Sequence, residues 1–180
     1  MAAINCIAIV AVLLSAIANA QGAGGVRVRA ANQTQWRDCG GDVARAADLD
    51  LHFVDVVSAP PVSRPHQNVT VTKRGYATRA HANLTVLYTQ YRRTAAGAWA
   101  EFFNATAAGC DPHARMRWRG AWCPTARGGN FTLETVHDDG GTLPFGLYRS
   151  RQTFFDVRAP ARAIGCVELL VRYVKSDSPD

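Results

Sequence analysis

The chain has 180 residues, 48% hydrophobic and 19% charged, with a formal net charge of +6. That length suits one domain with a sizeable core. The surplus is nearly all arginine, Lys73 and Lys175 being the only lysines, and it favours anionic partners such as acidic lipid head groups, sialic acids or phosphates. A nucleic-acid partner is excluded by the export signal described next and by the lack of any recognition motif.

No charged side chain occurs from Met1 to Val26, although the first five residues lack the usual Lys or Arg. Ile7 to Ile17 is mostly apolar and Ala18-Asn19-Ala20 is a small-x-small cleavage site, so residues 1–20 read as a signal peptide and Gln21 as the mature start. The apolar run falls short of the ~20 residues that span a bilayer. Residues 21–34 read as a flexible Gly- and Ala-rich leader, 35–175 as the folded domain and 176–180 as a disordered tail. Cys6 leaves with the signal, so four of the five cysteines remain: Cys39, Cys110, Cys123 and Cys166. An even count in an exported chain implies two disulfides, with three connectivities open. There is no Cys-x-x-Cys and no paired histidine, so a zinc site is not expected and neither metal nor cofactor is called for. Sequons at Asn32, Asn68, Asn83, Asn104 and Asn130 make the chain a candidate glycoprotein.

Along the domain the pattern is strands, at Leu49–Val57, Asn68–Tyr76, His81–Tyr91, Gly97–Phe103, Asn130–Val136, Tyr148–Val157 and Ile164–Val174. Pro60-Pro61, Arg64-Pro65, Ala96-Gly97, Gly140-Gly141 and Ala159-Pro160 break the series. About seven short strands with regular turn signals predict an antiparallel sandwich or barrel. A helical turn is allowed at Val43–Asp48 or within Asp111–Arg117. A glycan must face solvent and alternate strand residues face opposite sides. With Asn68 outward, Val69 and Val71 point inward; Asn83 outward turns Leu84, Val86 and Tyr88 in; Asn130 outward turns Phe131 and Leu133 in. In the last strand Glu168 and Arg172 face out, and Val167, Leu169, Val171 and Tyr173 face in. Asn104 is read as too near a strand end for the same use.

Such an inner face is either an ordinary core or the wall of a cavity, and periodicity does not separate the two. Catalysis finds little support. There is no Gly-x-Ser-x-Gly elbow, and the five histidines are scattered singly. Asp38, Asp48, Asp50 and Asp55 read as solvated strand-end acids rather than a glycosidase pair. An antibody-type domain is rejected too, since the first Trp after Cys39 is Trp99 and Ala108 stands two residues before Cys110.

Trp36-Arg37-Asp38-Cys39-Gly40, Gly97-Ala98-Trp99, Gly109-Cys110, Cys123-Pro124, Pro144-x-Gly146-x-Tyr148-Arg149 and Gly165-Cys166-Val167 stand in an order that spans Gln35 to Lys175. In these motifs the chain resembles the MD-2-related lipid-recognition (ML) family. It is most similar to the ganglioside activator proteins and next to the Niemann–Pick type C secreted sterol-binding proteins. The resemblance implies an all-β, immunoglobulin-like two-sheet antiparallel sandwich with an internal apolar cavity for lipid. It also implies disulfides Cys39–Cys166 and Cys110–Cys123, the second closing a rim loop. Family members usually carry six or more cysteines, so a bridge is missing here.

The expected cavity lining is Val69, Val71, Leu84, Val86, Tyr88, Phe131, Leu133, Phe154, Val167, Leu169, Val171 and Tyr173. Apolar walls suffice for affinity, since each buried methylene contributes ~0.8 kcal/mol. Arg115, Arg117, Trp118, Arg119 and Trp122 combine cations with interfacial aromatics and are the expected membrane-docking group. The functional expectation is a non-enzymatic lipid-binding protein, secreted or in the endosomal or lysosomal lumen, that transfers or presents a sterol, phospholipid or glycolipid. Its expected partners are the lipid, an anionic membrane surface and a lysosomal hydrolase or lipid-accepting membrane protein. The alternative is a lipid-sensing or glycan-binding interaction module of immune co-receptor type, without transfer activity.

Overall fold

The structure is a computed structural model and describes residues 34–44, 49–81, 83–110, 116–120, 129–137 and 143–175. These form ten strands and one helical turn: β1 (Gln35–Asp38), α1 (Gly40–Val43), β2 (Leu51–Ala59), β3 (Val62–Ser63), β4 (Val69–Ala77), β5 (Leu84–Arg93), β6 (Trp99–Ala108), β7 (Met116–Gly120), β8 (Gly129–His137), β9 (Gly146–Asp156) and β10 (Ala159–Tyr173). One sheet has the order β1-β10-β9-β5-β6, with β3 beside β10; the other has the order β2-β4-β8-β7. Pairing is antiparallel except for β3, which runs parallel to β10.

The seven expected strands are all present, with moved ends. β6 runs on to Ala108, because pairing of Thr85 to Gln90 with Phe103 to Ala108 carries it past the low-hydropathy stretch after Phe103. β10 starts earlier, at Ala159. Pro160 has no N–H for the ladder, and it falls in the irregular register between Ala159 and Ala163, where none is required. β1, β3 and β7 were not among the seven expected; the first two are too short for alternation to show. Met116 and Arg117, allowed as helix by the sequence, are strand because β7 pairs with β8. The helical turn observed is at Gly40–Val43, ahead of the expected Val43–Asp48, of which 45–48 lie outside the described residues.

β-branched residues set β4, where Val69, Val71, Lys73, Gly75 and Ala77 are buried and Arg74 and Tyr76 are exposed. Between the sheets lies one apolar cluster from both layers, including Leu51, Phe53, Val56, Val71 and Leu133 on one side and Leu84, Val86, Phe154, Val167 and Leu169 on the other. Phe53 joins the layers, its ring centroid 5.6 Å from Phe131 in its own sheet and 5.3 Å from Phe154 in the other. Each such side chain contributes about 1.5–3 kcal/mol by leaving water.

The sheets are tied along one edge. The Asp50 amide donates to Ile164 O at 2.8 Å, the Phe53 amide to Asp38 Oδ2 at 3.3 Å and the Ser58 amide to Thr34 Oγ1 at 2.7 Å. Gly165 allows this approach, since a Cβ there would lie 2.7 Å from Leu51 Cβ and 3.0 Å from Leu51 O. The outermost strands on the other side are β6 and β7, consecutive in the chain. β6 leaves Phe102 and Phe103 43% and 49% exposed.

Candidate functional site

The twelve residues expected to line the interior are all buried or half-buried. Val69, Val71, Leu84, Val86, Phe131, Leu133, Phe154, Val167 and Leu169 belong to the central cluster, with Tyr88 and Val171 packed against it. Tyr173 is buried, with its ring 5.6 Å from that of Phe145. Sequon parity works because the outward Asn68, Asn83 and Asn130 are exposed in the structure. Asn104, read as too near a strand end, lies well inside β6 opposite Thr89; it is exposed, and its amide donates to Glu101. Asn32 lies outside the described residues.

The interior is not wholly apolar. From the β2-β4-β8-β7 sheet, Lys73 and Thr135 enter it, the Lys73 ammonium donating to Thr135 Oγ1. Lys73 is 0% exposed, between Val56 on β2 and Leu133 on β8 in the register. Burial pushes its amine down to about 7. From the other sheet come Ser150 and Gln152, which alternate with the core residue Phe154 along β9. Gln152 is 1% exposed, and among the described residues its Oε1 has no hydrogen-bond partner. Burial also pushes the Tyr88 and Tyr148 hydroxyls up, and Tyr148 donates to Pro144 O. Sequence reading missed Lys73. The signal was there, since Asn68 outward places Val69, Val71 and Lys73 on one face.

Polar groups elsewhere are structural. Asp50 is not a solvated acid. It is buried at the β4–β5 crossover and meets Arg79 at 3.3 Å, Arg162 at 3.4 Å and His81 Nε2 at 3.5 Å. His81 Nδ1 lies 2.7 Å from Asp156, and that bond holds the Asp156 carboxyl below its ordinary value. Asp38 accepts from the Gly40 and Phe53 amides, and Asp55 pairs with Arg74. Asp48 lies outside the described residues. Glu168, though on the outer face, is buried beneath Arg37, Arg151 and Arg149 at 2.8, 2.9 and 3.4 Å. That pairing pushes the Arg37 guanidinium up.

Cys39 and Cys166 form a disulfide between the end of β1 and β10. Cys110 is also disulfide-bonded, while Cys123 lies outside the described residues. Of the docking group, Arg115 and Trp122 lie outside the described residues too. Arg117, Trp118 and Arg119 are on β7, register partners of Glu134, Leu133 and Thr132, and their side chains are not among those described. The run read as a rim loop is thus, over 116–120, an edge strand.

Two antiparallel sheets, tied at one edge and facing each other across a shared inner surface, define an immunoglobulin-like β-sandwich. Two solved structures show the likeness. A Niemann-Pick type C2 protein from Japanese carpenter ant superposes with a TM-score of 0.52 at 11% identity, over 69% of this chain and 93% of that one. Chicken MD-1, solved in complex with lipid IVa, gives a TM-score of 0.52 at 9% identity, over 84% of this chain and 98% of that one. The likeness is one of fold. No family model matches the sequence, and no curated protein matches it.

Proposed function

We propose that this protein holds a lipid between its two sheets and carries or presents it, without catalysing a reaction. The observation that carries the reading is the apolar inner surface shared by both sheets, in a sandwich tied along one edge with exposed phenylalanines on β6 at the other. The fold likeness to chicken MD-1, a protein solved with a lipid, supports it. The lining is Val69, Val71, Leu84, Val86, Tyr88, Phe131, Leu133, Phe154, Val167, Leu169, Val171 and Tyr173. Entry requires the β6 and β7 edges to part. A dozen buried methylenes supply on the order of 10 kcal/mol before ordering costs, enough for tight binding without special chemistry.

The protein works outside the cytosol, as a glycoprotein that is secreted or held in the endosomal or lysosomal lumen. It collects its ligand from anionic membrane through Arg115, Arg117, Trp118, Arg119 and Trp122, and delivers it to a hydrolase or a lipid-accepting membrane protein. Native mass spectrometry of protein purified without detergent from a secreting eukaryotic host tests the reading. The expected result is a co-purifying lipid adduct, removed by solvent extraction and restored by adding lipid. A protein that stays at its bare glycoprotein mass, and takes up neither sterol, phospholipid nor fatty acid, overturns it.

A further inference from the structure

Lys73 is among the largest fully buried side chains of the described residues, and it sits at the centre of β4's inner face, beside Val69, Val71, Gly75 and Ala77. An ammonium has three donors. Here one meets the Thr135 hydroxyl, and among the described residues no carboxylate pairs with the amine. A basic group buried without a counter-charge destabilises the fold, and a side chain of the same length without the charge, such as methionine, would fill the space without that cost. Nothing in the packing of Val56, Leu133 and Thr135 around it calls for a cation. What a cation at that place supplies is a partner for an anion that enters between the sheets.

The polar groups that share the inner surface with it narrow the class of anion. The interior offers one positive charge and one hydroxyl from the β2-β4-β8-β7 sheet. The facing sheet adds the Gln152 side-chain amide, whose N–H groups are donors, and the Ser150 hydroxyl, both turned to the same side of β9 as Phe154. One cation with a few neutral partners matches a singly charged head. A phosphate monoester would bring up to two charges and leave one uncompensated. The rest of the inner surface is aliphatic and aromatic.

We propose that Lys73 is the anchor for the carboxylate of a long-chain fatty acid, bound with its acid head inside the sandwich and its tail along the apolar inner face. This rests on the lipid-holding reading above and deepens it. The head group lies among Lys73 and Thr135 instead of at the rim, with Gln152 and Ser150 as neutral partners from the opposite sheet. The amine accordingly acts as a specificity determinant, favouring acids over neutral lipids with the same tail.

The test uses delipidated, full-length mature protein titrated with palmitic acid and, in parallel, with 1-hexadecanol, which has the same tail and no charge. Wild type is expected to bind palmitate at least about tenfold tighter than the alcohol, the increment of one charge-assisted hydrogen bond. Lys73→Met is expected to bring palmitate down to the alcohol's affinity and leave the alcohol within about twofold, with Thr135→Val giving a smaller loss in the same direction. A second readout needs no variant: the carboxyl resonance of bound [1-¹³C]palmitate is expected to stay ionised below the pH at which free acid titrates. Equal affinities for acid and alcohol in wild type, or a carboxyl that titrates as it does in water, overturn the Lys73 anchor while leaving lipid holding intact. Failure of both probes to bind, together with no adduct by native mass spectrometry, overturns the lipid reading and the anchor with it.

Discussion

Lys73 shows most clearly what one residue does to this molecule. Its amine titrates at about 7 in the folded chain against 10.5 when exposed. Between those values the unfolded chain carries a proton that the folded chain lacks, so this residue's contribution to stability rises with pH, at up to about 1.4 kcal/mol per unit. Below about pH 7 both states are protonated and the penalty is at its full, constant value. Lys73→Met is therefore expected to be more stable than wild type without ligand, by a margin that is largest near pH 6 and shrinks towards pH 10. Urea unfolding of both proteins across that range measures it, and a margin independent of pH would show that the amine is not held neutral by burial. The sequence carried this residue's position, since the parity that turned Val69 and Val71 inward reaches Lys73 two residues on. It did not carry the meaning, because a lone lysine in a Val/Thr strand reads as a solvated side chain until the opposite sheet is in place. Asp50 escaped for the same reason, as its partners Arg79, His81 and Arg162 come from separate segments.

Among the elements, the tied edge decides how the sheets meet. Gly165→Ala pushes a methyl into the Leu51 Cβ and carbonyl, and repacking there is expected to cost about 1–3 kcal/mol by urea unfolding. A neutral result would mean that β2 and β10 are free to slide apart. The Cys39–Cys166 bridge fastens β1 to β10 across 127 residues of chain. Replacing both cysteines with serine is expected to remove roughly 2–5 kcal/mol, read as a lower urea midpoint than wild type. On the outer face, Glu168→Gln leaves Arg37 and Arg151 against a neutral group. Those guanidiniums are partly exposed, so a loss of about 1–3 kcal/mol is expected in the same assay. Long strands with Val/Thr alternation, such as β4, β5 and β8, were legible because each carries its own period. β7 was not. Met116-Arg117-Trp118-Arg119-Gly120 alternates apolar and cationic residues, but its place between Cys110 and Cys123 reads as a cysteine-closed loop, and its pairing with β8 makes it a strand. Of the two disulfides implied by resemblance, Cys39–Cys166 forms, because β1 and β10 are neighbours in register through Asp38 and Val167.

At the scale of the whole molecule, the sandwich followed from the number and spacing of strands, and the resemblance to the ML family rested on a scattered set of motifs rather than on overall sequence similarity. At 9–11% identity, the likeness to two solved structures is one of fold, with a TM-score of 0.52 to each. The docking group belongs to this scale because its value depends on where a lipid would enter. Arg117→Ala with Trp118→Ala is expected to weaken binding to vesicles containing phosphatidylserine several-fold at low salt, with unfolding unchanged. Equal vesicle binding would remove that surface from the account. The inner surface is the central claim, and photo-crosslinking tests it most directly. The protein is loaded with a fatty acid bearing a diazirine on its tail, irradiated, digested and mapped by mass spectrometry. Adducts are expected on the peptides that carry Leu133, Phe154 and Leu169, and to disappear when excess palmitate competes. Adducts confined to outward residues such as Tyr76 or Val157, or none that palmitate displaces, would contradict a lipid held between the sheets.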